Sequence, residues 1–149
     1  MSLEFIQRCG FERVGHWELG LYKSTKHLSH LHGVQFVLDD DFNGSGGVVY
    51  AFVIDKAVVY IGETTKGMRD RFLSYRYGNP LERDTDNRVK VELTDALLHG
   101  SAVTVWAVVP TARIELAAQL LEMSASKPVE EWLIAKLNPP LNRKRLIAN

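Results

Sequence analysis

The chain has one cysteine, no excess of either charge and no long apolar run. A single cysteine, Cys9, excludes an internal disulfide and a cysteine zinc site, and it suits a reducing cytoplasm. Cys9 itself reads as a small buried hydrophobe rather than a nucleophile. No apolar stretch approaches the roughly eighteen residues of a membrane span. Met1 to Gly10 lacks the apolar centre of a secretory signal, so no membrane partner is expected. The 18 Lys and Arg side chains balance the 18 Asp and Glu. Nucleic-acid binders usually carry a basic excess, because phosphate contacts dominate their affinity. Neutrality therefore argues against tight non-specific DNA binding by this domain alone, but leaves room for a local basic face.

At 149 residues, with 46% hydrophobic and 24% charged side chains, the chain fits one soluble domain with a real core. Residues 1–46 read as an N-terminal extension. Within it, Trp17, Leu19 and Leu21 alternate in strand fashion, Ser24 to His32 is weakly helical or a loop, and Val34 to Leu38 is a strand. The turn-rich run Asp39 to Gly47 is a break. Residues 47–149 carry the main pattern. Val48 to Ile54 and Ala57 to Ile61 are β-branched and aromatic runs joined by Asp55-Lys56, a tight turn. Lys66 to Tyr77 and Asn87 to His99 read as helices, the second closed by Gly100. Val103 to Val109 is a strand, Ala112 to Met123 a helix, and Pro128 to Leu137 a helix stopped by Asn138-Pro139-Pro140. The sum is a single α/β domain of the α+β type: a small, mainly antiparallel three-stranded sheet flanked by helices. The extension could add one or two strands.

Three groups of residues bear on chemistry. On the last helix, Val129, Leu133, Ile134 and Leu137 make one apolar face at about 100° per residue, and Glu130 falls inside it. An inward acid needs a partner, since an unpaired buried carboxylate is costly. An arginine, the helix terminus or a metal ion would each serve. On the first helix after the strands, Arg71 and Tyr75 share a face. From Lys66 to Lys90 there are seven basic residues against four acids, a local excess that suits either a solvated face or a phosphate site. The strand tyrosines Tyr50 and Tyr60, taken singly, are explained by packing. His27, His30 and His32 have no carboxylate or cysteine partner and read as a surface group. Asp39 to Asp41 reads as a solvated loop, and Arg143 to Arg145 as a basic tail.

Taken in order, these positions resemble the GIY-YIG nuclease family. Gly47-Val48-Val49-Tyr50 stands where the first motif lies, and Val59-Tyr60-Ile61-Gly62 where the second does. Arg71 with Tyr75 one turn later matches the family's helix pair. Glu130 through Asn142 matches the final block, with the acid twelve residues before the asparagine. Val48 replaces the first motif's glycine, and Glu63 stands where the repair branch has lysine.

The resemblance implies a divalent-metal-dependent endonuclease that hydrolyses phosphodiester bonds in DNA, of restriction or repair type. Glu130 would hold one Mg²⁺ (or Mn²⁺), and Arg71 would bind the scissile phosphate. Tyr50 would assist deprotonation of water, Tyr60 would order that water and the phosphate, and Tyr75 would bond the phosphate or relay a proton. Lys66, Arg69, Arg76 and Arg88 are the DNA-contact candidates. Gly62 and Asn142 are structural neighbours of the site. Glu63 is either a further metal contact or a brake on phosphate approach. Partners would be DNA and either a second copy, as a homodimer, or a separate DNA-binding protein. Two rivals remain open: an inactive nucleic-acid-binding or protein-interaction module on the same fold, and a structural protein whose tyrosines and Glu130 are core.

Overall fold

The computed structural model describes residues 2–21, 32–42, 44–77 and 85–142. Of the histidine group, only the backbone of His32 falls among them; His27, His30, Arg83 and the Arg143–Arg145 tail lie outside the described residues. A short helix α1 (Ser2–Arg8) precedes β1 (Glu12–Leu21), β2 (His32–Leu38), β3 (Val48–Ile54) and β4 (Ala57–Thr64). Then come α2 (Met68–Arg76), α3 (Thr85–Leu98), β5 (Val103–Val108), β6 (Thr111–Leu116), β7 (Gln119–Ser124) and α4 (Ser126–Leu137), closed by a 3₁₀ turn at Pro140–Asn142.

The main sheet has five strands in the order β2-β1-β5-β3-β4, all described pairs antiparallel. This corrects the three-stranded expectation. β1 of the N-terminal segment pairs directly with β5, so the strands before residue 47 belong to the same sheet as those after it.

Strand β3 is buried on both faces, as its nearly continuous apolar run requires. Val48, Tyr50 and Phe52 face a layer that includes Met68, Phe72 and Tyr75 of α2 and Val89 and Leu93 of α3. Val49, Ala51 and Val53 face Ile6 of α1 and Leu133 of α4. The sheet thus lies between two helical layers. On α4, Val129, Leu133, Ile134 and Leu137 all pack into the second layer, as their spacing implies.

Several ends fall where the sequence puts them. α3 is closed by Gly100 at φ 84°, and α4 by Asn138 in the left-handed region at φ 46°. Asp55, at φ 57°, makes the tight β3–β4 turn without a glycine.

Two local expectations are overturned. Cys9 is exposed in the turn after α1, not buried. Ala112 to Met123 is no helix but a two-stranded hairpin, β6–β7, with Leu116 opposite Gln119 across a two-residue turn. Ala117 and Ala118 take φ values of 50° and 61° there, the left-handed pair that this turn demands. Alanine, leucine, glutamine and glutamate favour helix locally, and the usual Asn-Gly turn signal is missing, which is why the segment reads as helical.

The 3₁₀ turn is tied to the sheet by one side chain. Asn142 Oδ1 accepts the Ile61 N–H at 2.8 Å, and its Nδ2 donates to the Ile61 carbonyl at 2.8 Å. β4 is an edge strand, so the amide satisfies backbone groups that no neighbouring strand reaches. Asn142→Ala should therefore lower stability by about 1–3 kcal/mol, read as a fall in the denaturant midpoint at unchanged m-value.

Candidate active site

The β3–β4 pairing sets the site. Tyr50 lies opposite Gly62, and Phe52 opposite Tyr60. Beyond that point the register shifts, and Val53 pairs with Val58. Val58 and Tyr60, two apart, would ordinarily share a face. The extra residue, Val59, sends Val58 into the α1/α4 layer and Tyr60 into the α2/α3 layer beside Tyr50. Gly62 has a steric reason as well. A Cβ there would stand 2.5 Å from Cζ and from the hydroxyl of Tyr50, so only glycine lets that ring lie across β4. Gly47 is similarly constrained, because a Cβ would collide with the hydroxyls of Ser124 and Ser126.

Tyr50, Tyr60 and Tyr75 converge into a chain of hydroxyls. The Tyr50 and Tyr75 oxygens are 2.6 Å apart, and Tyr75 donates to Tyr60 at 3.1 Å. A phenol carries one proton. With that of Tyr75 spent on Tyr60, the Tyr50 hydroxyl donates to Tyr75, and the Tyr60 proton is left for a group outside the chain. Tyr50 and Tyr75 have no exposure, whereas Tyr60 retains 6%. Tyr60 is the open end.

Arg71 is laid over the Tyr75 ring, its Cζ 4.3 Å from the centroid, and Nη2 donates to Asp86 Oδ1 at 2.9 Å. Burial pushes all three phenols above their ordinary range, and the Arg71 charge pulls each back. Burial would lower the Arg71 pKa, but the Asp86 bond and the neighbouring tyrosines more than offset it, so the guanidinium stays charged.

Glu130 belongs to α4, whose apolar residues pack in the layer on the other side of the sheet from Tyr50 and Tyr60. Its charge nevertheless acts on Tyr50 and Tyr60. The side chain is 13% exposed, and Lys127 Nζ donates to Oε1 at 3.1 Å. Burial raises the Glu130 pKa, Lys127 opposes the shift, and the charges of Glu63 and Glu131 add to it. Glu63 faces the same layer, where Ser126 Oγ donates to its Oε2 at 2.9 Å. The Glu130 carboxylate is thus partly buried, with Lys127 as its cation and the charges of Glu63 and Glu131 against it. Mg²⁺ binds through one or two carboxylates and keeps its waters, so Glu130 fits such a cation. Among the described residues, no group of three or more His, Cys, Asp or Glu side chains could form a cage for one.

The DNA-contact candidates divide. Lys66 and Arg69 are exposed, and Arg69 lies over the Phe36 ring. Arg76 is partly buried over Tyr77. Arg88 turns inward to donate to the Leu141 carbonyl, tying α3 to the 3₁₀ turn. The sequence reading missed Asp86 and Lys127 as partners. Lys127 was legible, three residues before Glu130 on one helix. Asp86 was not, because its contact depends on how α2 packs on α3.

No protein-family model matches the chain, and no curated protein matches it. Among solved structures, a point mutant of bacteriophage T4 EndoII superposes with a TM-score of 0.65 at 24% identity, covering 96% of this chain and 100% of that one. The restriction endonuclease HPY188I in complex with product DNA gives a TM-score of 0.49 at 19% identity, over 96% of this chain and 82% of that one. The chain shares its fold with EndoII.

The buried phenols carry a pH signature. Their folded pKa values are raised, so the native state holds protons that the unfolded chain loses near pH 10. Their contribution to stability is therefore intact below about pH 10 and lost as pH climbs beyond it. The thermal midpoint should fall steeply in alkali, with phenolate absorbance rising in step. The fall should be shallower in Tyr50→Phe, itself destabilised by about 0.5–1.5 kcal/mol at neutral pH for the lost hydrogen bond.

Proposed function

We propose that the chain is a divalent-metal-dependent endonuclease of the GIY-YIG type acting on DNA. The observation that carries this reading is the Tyr50–Tyr75–Tyr60 hydroxyl chain under Arg71, with the charge of Glu130 acting on it. The consecutive elements β3, β4 and α2 bring the phenols and Arg71 together, and only Glu130, on α4, is remote from them in sequence. The fold shared with EndoII, an endonuclease, agrees with the reading.

Glu130 would hold the cation, Mg²⁺ or Mn²⁺. When bound, the ion supplies positive charge to the developing phosphorane and favours ionisation of water. The remaining work falls to the chain itself. Arg71 uses one guanidinium nitrogen on Asp86; its other N–H groups remain to grip non-bridging phosphate oxygens, in the planar fork that suits them. Asp86 fixes that fork.

Tyr60, whose proton has no acceptor within the chain, donates to the incoming phosphate or water. Tyr50 is not a preformed base, because burial keeps its phenol protonated. It fixes the proton order of the chain, and the Arg71 charge is what would favour a phenolate. Lys66 and Arg69, both exposed, would contact flanking phosphates. A restriction-type or repair-type role fits this chemistry equally.

Plasmid DNA incubated with the protein and Mg²⁺ or Mn²⁺ should be nicked. Glu130→Ala should abolish the nicking, and Arg71→Ala should slow it by about 10²–10³-fold. Cutting that survives Glu130→Ala would overturn the assignment.

A readout independent of cleavage comes from stability. A raised folded pKa means that Glu130 stabilises the fold most when protonated, below its unfolded value near 4.5, and that this stability is lost as pH rises through the folded value. Glu130→Gln should therefore be more stable than the natural chain at neutral pH, with the difference closing in acid. Mg²⁺ should raise the thermal midpoint of the natural chain but not of Glu130→Gln.

A further inference from the structure

A cavity of about 280 Å³ at the Val103 end of β5 lies outside the site described above. Its apolar wall is Leu97 of α3 with Ala102 and Val103. Arg13 and His16 of β1 supply its polar side, and Trp17 borders it as well. Val103 pairs with Trp17 on one side and Ile54 on the other, whereas Tyr50 pairs with Ala107. The cavity is therefore four strand residues, roughly 13 Å, from the point where β5 meets Tyr50.

Trp17 is 2% exposed, and its indole Nε1 is buried without an acceptor among the described residues. Folded proteins pair most such groups, because a buried donor left unpaired costs its full desolvation. The neighbouring strand shows the ordinary arrangement, with Trp106 Nε1 donating to Thr104 Oγ1 at 2.9 Å. The Trp17 ring cannot turn to seek a partner. It is stacked on Phe72 at 5.4 Å between centroids and met edge-on by Phe36 and Phe52.

We infer that the cavity is a binding site for a small organic anion, a single-ring carboxylate whose oxygens are taken by Trp17 and Arg13. Charge selects the sign of the ligand. Arg13 is exposed and enters no ion pair among the described residues. Its planar guanidinium can give a carboxylate two N–H groups at once. The two acids that touch lining residues are already engaged. Glu18 bonds His16 at 3.2 Å and Gln35 at 2.7 Å, and Asp55 accepts the Ala102 N–H at 3.2 Å.

Size and lining select the body. Drug-sized ligands occupy roughly 300–1,000 Å³, so this volume takes one ring and little more. Leu97, Ala102 and Val103 give that ring an apolar wall. A water would serve the indole alone and leave the guanidinium and the wall unused. This inference does not rest on the nuclease reading and would survive its failure.

Benzoate is the probe, and the indole N–H signals of the three tryptophans are the readout. In ¹H–¹⁵N spectra of the full chain, the Trp17 signal should move saturably as benzoate is added. Its assignment comes from its loss in Trp17→Phe. The signal of Trp132, half-exposed on α4, should stay in place. Arg13→Gln should weaken benzoate binding about tenfold, and benzamide, the uncharged counterpart, should bind the natural chain as weakly. Ala102→Leu, at an exposed position, should fill the cavity and abolish the shift with the thermal midpoint unchanged. A Trp17 signal that does not move overturns the proposal. So does binding that is equal in Arg13→Gln and with benzamide, or a shift that survives Ala102→Leu.

Discussion

The register between β3 and β4 is the constraint on which the site depends. One extra residue at Val59 turns Tyr60 onto the face that Tyr50 and Phe52 already occupy. Without it, a one-residue slip would send Tyr60 toward α1 and α4 and break the hydroxyl chain at its open end. Gly62 depends on the same pairing, because it lies opposite the tyrosine whose ring needs its missing side chain. Packing and chemistry are thus one requirement here. The aromatic cluster of Trp17, Phe52 and Phe72 locks the rings that aim the phenols.

That locking has an electrostatic consequence. Rings packed this tightly hold their hydroxyls in a place where a phenolate is disfavoured, and the only cation laid directly on the group is Arg71 among the described residues. Arg71 is in turn fixed by Asp86 of the neighbouring helix. The α2–α3 packing therefore governs how far the tyrosines are held from ionising, although no residue of α3 belongs to the family-like motif. Glu130 acts on Tyr50 and Tyr60 from α4, which packs on the opposite face of the sheet. Asn142 and Ser126 knit edge strand β4 to the elements around it, Asn142 through the Ile61 backbone and Ser126 through Glu63.

Much of this was legible in the sequence, for reasons that differ by element. The strands β3 and β4 announce themselves because β3 is buried on both faces and reads as a continuous apolar run. Helix α4 shows its apolar stripe, and its stop at Asn138 follows from the two prolines. The order Tyr50, Tyr60, Arg71, Tyr75, Glu130 was readable as a pattern; that the three phenols touch was not, because the contact depends on a bulge that leaves no mark in composition. The five-stranded sheet was under-read because β1 finds its partner, β5, some ninety residues away in sequence, and β2 joins the sheet only through β1. The hairpin was misread because its residues favour helix locally and its turn uses alanines, so only alternation of Ala112, Ile114, Leu116, Leu121 and Met123 betrayed it.

The neutral charge of the chain acquires a physical meaning from these placements. Of the basic side chains between Lys66 and Lys90, Arg71 is paired with Asp86, Arg88 is held on the Leu141 carbonyl, and Arg69 and Arg76 lie over aromatic rings with their charge intact. Each phosphate contact adds to affinity through counterion release, so a chain whose 18 basic side chains are matched by 18 acidic ones would hold a polyanion weakly.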